Sequence, residues 1–294
     1  MIYKTGFKSM IYLALVSLIW AFSFGLIGSS LSGVDSFLVA TLRLGVAALI
    51  FLPFLRIKGL GKIECLRLFA YGSIQFGLMY ACYMKAYQYI PSHLVAIFSI
   101  FTPVYVVLIH NLLKRTFSSR YLWIAMLSVL GAAIIKVKSV PNGDIWIGFV
   151  LMQAAGISFA FGQVAYRDWK KANTNVPDLS VFGLLTVGGL ICVGGFSLML
   201  TDFASVEITL SQWQSILYLG CVASGLGFFL WNKGSTKTNP GTLAAFNNAV
   251  VPLAVITSLF VFGESDSLDA ENTLRLCLGT VLIIGAVIFS PKDT

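Results

Sequence analysis

The sequence predicts an all-α integral membrane protein: ten transmembrane helices in two inverted five-helix repeats, with both termini cytoplasmic. Three observations carry this reading. The 294-residue chain is 57% hydrophobic and only 11% charged, with a mean hydropathy of +0.87. A soluble domain is about half apolar and about a quarter charged, so lipid is the solvent this composition suits. Its apolar residues gather into ten runs, each close to the roughly 20 residues that cross a bilayer. Its basic residues alternate between the two sides that those runs define.

The runs cover residues 7–30, 36–55, 66–87, 94–113, 121–137, 145–166, 179–200, 213–232, 242–262 and 274–290. Helices follow because lipid offers no partner to an unpaired backbone group. A barrel would need segments of about 10 residues alternating apolar with polar, and these runs are longer and apolar on every side. Lys4 and Lys8 precede the first run as in a signal peptide. That run has no small-x-small cleavage site and more spans follow, so it is expected to be a retained helix.

The net charge of +8 fits basic cytoplasmic loops rather than nucleic acid. Of the 20 Lys and Arg, 15 fall on one set of helix ends, among them Arg56, Lys58, Lys62, Lys114, Arg115, Arg167, Lys170 and Lys171. Only Lys85, Lys136, Lys138 and Arg275 fall on the other, and Arg43 lies inside a span. The acids lean the opposite way, with Asp35, Asp202, Glu207 and Glu264 on the sparse side. Five scattered cysteines have neither disulfide nor zinc spacing, and no cofactor or metal is expected. The expected partners are a small-molecule substrate and the lipid bilayer, with no nucleic acid, for a monomer or homodimer in a bacterial cytoplasmic (inner) membrane.

The chain is organised around two similar stretches, 83–103 and 232–252. Pro91 matches Pro240, and Pro103 matches Pro252, both at an offset of 149. Leu94 and Leu243, Ala96 and Ala245 match at the same offset. Phe22, Phe24 and Gly25 match Phe159, Phe161 and Gly162 at an offset of 137, which assigns about 12 extra residues to the 201–212 loop. The repeats are therefore 1–140 and 141–294. Five spans per repeat, an odd number, invert the second against the first. Inverted repeats are a mark of secondary transporters whose site lies near the midplane.

Trp20, the Arg43-Leu44 pair, and the segment from Leu230-Trp231-Asn232 through Pro252 to Phe262-Gly263-Glu264 carry a resemblance. The chain resembles the drug/metabolite transporter superfamily, and within it the EamA-type transporters, over nearly its whole length. The resemblance implies ten helices, one central cavity and alternating access. The second half keeps Gly263-Glu264, whereas the first half has Leu113-Lys114-Arg115 in its place.

Several residues can carry chemistry. Arg43 is about eight residues into the second helix, roughly 12 Å deep. A charge there costs about 2.5–3.5 kcal/mol unless it faces protein or a wet cavity. It is either a counter-ion for a substrate anion or an Arg satisfied by helix-end carbonyls. Phe76, Tyr80, Tyr83 and Tyr87 recur on one helical face. Tyr80 and Tyr83 are expected to line a cavity and Tyr87 to join an interfacial belt. His93 opens the fourth helix, as a polar cap or as a proton-coupling group. Gln75, Gln163, Asn247 and Asn248 are intramembrane amides that bond other helices or a substrate. Pro252 frees a carbonyl near Asn248. Trp20, Phe24 and Trp231 are candidate cavity walls. Pro91, Pro103, Pro240 and Pro252 are candidate gate or hinge positions, with 83–103 on the outer face and 232–252 on the cytoplasmic face.

No Asp or Glu lies near the centre of a span, which leaves proton coupling to His93 or Glu264, or none at all. Residues 156–160 half-resemble a GxSxG elbow, but no metal pair or acid dyad accompanies them and no Walker motif is present. The reading is a secondary transporter, expected to export small amphipathic metabolites such as amino acids. Import or exchange of an organic anion or other metabolite on the same fold is the alternative; an intramembrane enzyme is disfavoured.

Overall fold

The computed structural model describes residues 3–31, 33–90, 95, 98–136, 145–261 and 270–290. It is helical throughout, and the described residues contain no strand. The helices are α1 (Tyr3–Ser30), α2 (Ser36–Phe51), α3, α4 (Thr102–Lys114), α5 (Ser119–Lys136), α6 (Ile145–Ala172), α7 (Asp178–Leu200), α8, α9 (Pro240–Phe260) and α10 (Ala270–Ile288). Helices α3 and α8 are each built of three consecutive stretches. In α3 these are Lys62–Gly72, a π-helical Ser73–Leu78 and Met79–Ala86; in α8 they are Leu210–Tyr218, a π-helical Leu219–Leu226 and Gly227–Ser235. Five of the helices are long and apolar enough to cross a membrane by themselves: α1, α2, α6, α7 and α8. Helices α5 and α10 carry shorter apolar cores, Ser119–Ile135 and Thr273–Ile288.

Local sequence sets the helix ends. Asp35 caps α2 by accepting the Leu38 N–H at 2.9 Å, using one of the donors that a helix start leaves open. Thr209 and Gln212 form a reciprocal capping box at α8. Asn239 caps α9, and Pro240 takes its first turn, where a missing N–H costs nothing. Arg115 ends α4 in the left-handed region at φ 51°.

Packing runs between the two halves of the chain. Helix α2 lies on α7 and on the π stretch of α8, and α3 lies on α7. Helix α5 lies on α10, α1 on α8 and α9, and α6 on α3 and α4. Lipid supplies no hydrophobic drive for such contacts, so close backbone approach through small residues carries them. A Cβ on Gly72 would sit 2.0 Å from the Leu185 carbonyl oxygen, and one on Gly188 would sit 2.1 Å from that of Phe69. Gly162 admits Gln75 in the same way.

The two π stretches depart from the sequence reading, which placed the helix irregularities at prolines. Pro252 does stand inside α9. Pro103 instead opens α4, after a turn at residues 100–101. Pro103 cannot donate to the Ser99 carbonyl; the Thr102 hydroxyl donates to it at 2.8 Å.

Candidate functional site

A cavity lies between α1, α2, α3, α4, α6, α8 and α9. Trp20, Phe24, Tyr80, Tyr83, Phe159 and Phe228 form its aromatic wall, and Ser23, Ser99, Thr102 and Asn247 its neutral polar groups. Among the described residues that line it, Arg43 alone is charged. Helix α2 carries Arg43 into the cavity from its middle turn, and the residue is 3% exposed. Its Nε donates to the Ser224 hydroxyl at 3.2 Å and its Nη2 to the Tyr80 hydroxyl at 2.6 Å. The guanidinium also lies 4.7 Å from the Tyr80 ring centroid, a cation–π distance. Its Nη1 is buried with no hydrogen-bond partner. Among the described residues no carboxylate pairs with Arg43. A buried donor left unmade costs about 1–3 kcal/mol, more when charged. The cavity thus holds one uncompensated positive charge and one open donor within an aromatic cage.

The cage is continuous. Trp20 and Trp231 have ring centroids 4.8 Å apart, and Phe76 stacks on Phe228 at 4.4 Å and 12°. Trp20 donates its indole N–H to the Ala223 carbonyl, within the π stretch of α8, at 3.0 Å. In that stretch the Gly227 N–H reaches Val222, five residues back. Tyr83 and Tyr87 share a hydroxyl hydrogen bond of 2.9 Å.

Of the residues singled out from sequence, Trp20, Phe24, Arg43, Tyr80, Tyr83 and Asn247 line this cavity. Gln75, Gln163, Trp231 and Asn248 do not; they are packed behind it, each at most 1% exposed. Trp231 donates to Gln163 at 2.8 Å, and Gln163 meets Asn247 at 3.4 Å. Gln75 and Asn232 exchange both amide hydrogen bonds, at 2.8 and 3.3 Å. Asn248 bonds the Ile100 carbonyl at 3.0 Å, at the break before α4, rather than a carbonyl of its own helix. Pro103, Pro240 and Pro252 are buried away from the cavity wall. Pro91 and His93, and with them Glu264, lie outside the described residues.

The cavity is sealed toward the α8–α9 turn. Arg167 donates from Nε to the Thr238 carbonyl at 3.0 Å, Asp168 pairs with Lys114 at 3.1 Å, and Ser290 donates to Asn239 at 2.9 Å. At the α1–α2 end, Ile27 borders both the cavity and a wider vestibule that carries Asp35, Asp202 and Glu207. Asp35 also accepts the Thr201 hydroxyl at 2.6 Å.

Sequence reasoning missed Ser224 and Phe228. A signal was present: Ser224 stands at the repeat offset of 149 from Gln75, and an amide at a repeat position marks its partner position for inspection.

An all-helical fold with a central amphipathic cavity defines a membrane carrier, and the chain belongs to the EamA-like transporter family, whose profile matches residues 7–137 and again 143–290. It is 35% identical over 280 residues to a probable biotin transporter of Pseudomonas aeruginosa, covering 95% of this chain and 96% of that one. It is 34% identical over 258 residues to the biotin transporters of Salmonella typhimurium and Escherichia coli, covering 87% of this chain and 85% of each. A solved crystal structure shares the fold, with a TM-score of 0.76 at 17% identity over 95% of this chain and 96% of that one.

Proposed function

We propose that this transporter carries a small monocarboxylate with a compact ring body, biotin being the model substrate. The observation that carries the proposal is Arg43, a buried cation with no carboxylate partner and an unmade Nη1 donor, set in an aromatic cavity. A carboxylate would complete the guanidinium with charge-assisted hydrogen bonds. The rings of Trp20, Tyr83 and Phe159 would take the apolar body, and Asn247, Ser23 and Thr102 its neutral polar groups. The names of the similar transporters support the same substrate class. An organic anion thereby takes precedence over the amino-acid export expected from sequence.

The proposed mechanism is alternating access between two inverted five-helix repeats, 1–140 and 141–294, in ten spans with both termini cytoplasmic. The paired family matches and the reciprocal packing of α1 on α8 and α9, and of α6 on α3 and α4, support it. The basic helix ends set the cytoplasmic side, in a bacterial inner membrane. On that topology the end held by the Arg167–Thr238 and Lys114–Asp168 contacts is the cytoplasmic one. The cavity is built within a single chain, which suits a functional monomer.

Counterflow tests this. Proteoliposomes loaded with unlabelled biotin are expected to accumulate external radiolabelled biotin transiently. Equal traces in loaded, unloaded and protein-free vesicles would refute the substrate assignment, and accumulation driven by an amino acid instead would restore the earlier reading.

A further inference from the structure

We propose that Arg43 is also the element that couples substrate occupancy to gate opening, and that Ser224 is its positioning residue. This rests on the reading of Arg43 as the carboxylate site. Three facts point to it. First, α3 and α8 each carry a π-helical stretch in mid-helix, Ser73–Leu78 and Leu219–Leu226. Such stretches hold one residue more per turn than the α-helix and often sit at functional positions, which makes them natural places for the two helices to re-register. Second, one guanidinium holds the two helices together: Nη2 bonds Tyr80, just past the π stretch of α3, and Nε bonds Ser224, inside that of α8. Tyr80 and Ser224 also bond each other at 2.9 Å. Third, the π stretch of α3 also takes part in the contact on the sealed side, where its Gln75 pairs with Asn232, beyond the π stretch of α8. Each π stretch thus donates one residue to a cross-helix polar link, one link at the cavity and one behind it.

A carboxylate arriving at the open Nη1 pairs with Nη1 and Nη2, the two donors on one edge of the guanidinium, and so takes Nη2 from the Tyr80 hydroxyl. Arg43 then turns from Tyr80 and Ser224 toward the substrate. The guanidinium bridge between α3 and α8 is lost, the direct Tyr80–Ser224 hydrogen bond alone joins them at the cavity, and the two helices move apart more readily on the sealed side. The empty carrier stays latched by the same donors that the substrate takes. A ligand shifts such an equilibrium only through its unequal contacts with the two states, and the donors of Arg43 supply that inequality.

The test uses full-length protein in lipid nanodiscs, with Cys65, Cys82, Cys192, Cys221 and Cys277 replaced by serine and Ser235→Cys introduced as a reporter. Ser235 is fully buried near the end of α8, on the sealed side. Maleimide labelling reports opening, and equilibrium dialysis reports biotin binding. Biotin is expected to speed labelling of this reporter about tenfold or more, the value of one charge-assisted hydrogen bond. Adding Ser224→Ala is expected to give fast labelling without biotin and no further response to it, while biotin binds as tightly as before or more tightly. Ser224→Thr, which keeps the hydroxyl, should restore the biotin response. A merely structural serine would lower binding and leave labelling responsive. Biotin-responsive labelling in Ser224→Ala at the parent's level overturns the coupling role with the substrate site intact. Failure of the reporter protein to bind biotin at all overturns both readings.

Discussion

Arg43→Gln is expected to reduce biotin counterflow by about 30-fold or more while the protein inserts and folds as before. Truncating one partner of a buried, hydrogen-bonded charge pair costs about 2–5 kcal/mol, which is roughly 30- to 5,000-fold in affinity. The unliganded protein loses little. Arg43 is buried, with no carboxylate against it among the described residues, and an isolated intramembrane charge costs about 2.5–3.5 kcal/mol. A glutamine can still bond Tyr80 or Ser224 without that charge. The thermal midpoint of Arg43→Gln in detergent should therefore equal or exceed that of the native protein. Flux within a factor of two of native would remove Arg43 from the substrate site. A lower midpoint together with lost flux would make it a structural residue.

The second large effect concerns the sealed side. Gln75 and Asn232 are 0% and 1% exposed and satisfy each other through two amide hydrogen bonds. Gln75→Leu strands both polar atoms of Asn232 at that contact, at a cost of about 1–3 kcal/mol per unsatisfied group. Asn232→Leu strands Gln75 equally. The double variant Gln75→Leu/Asn232→Leu removes both partners, and its stability should return to near the native value, since replacing a whole pair by apolar groups is close to neutral. The thermal midpoint read across this four-member cycle measures the coupling. Transport should follow a different order. If the pair latches the sealed side, the double variant, although stable, leaks substrate without counterflow. Additive single effects would show that the two amides do not act as a pair.

These residues mark the boundary of what the sequence made legible. The helical class was plain in the hydropathy, because lipid leaves the backbone no alternative to the helix; the fourth run, read as 94–113, instead breaks at a turn at 100–101 and α4 starts at Thr102. Arg43 was plain as well, since one cation in a long apolar run has few explanations. Tyr80 and Tyr83, read from their shared helical face, and Asn247, read as a mid-helix amide, border the cavity. Gln75, Gln163 and Trp231 share that polar or aromatic character, yet they sit behind the wall. Their depth depends on how closely helices approach, and Gly162, Gly72 and Gly188 set that approach. The π stretches were not legible. They arise from tertiary contact: Ser73 donates to the carbonyls of Phe69 in its own helix and Gly188 in α7, both at 3.0 Å, and the Trp20 indole inserts at Ala223. No local propensity encodes such a pairing. Proline was the visible irregularity, and at Pro103 it proved to be a helix start.

The central claim is that the cavity recognises a carboxylate through Arg43. The most direct measurement is displacement of radiolabelled biotin from the purified native protein by unlabelled biotin and by biotin amide, which has the same rings and chain but no charge. The expected result is that the amide displaces about 10- to 150-fold more weakly, the value of a charged hydrogen bond of about 1.5–3 kcal/mol. In Arg43→Gln the two competitors should become equivalent. Equal displacement by biotin and its amide in the native protein would contradict the account.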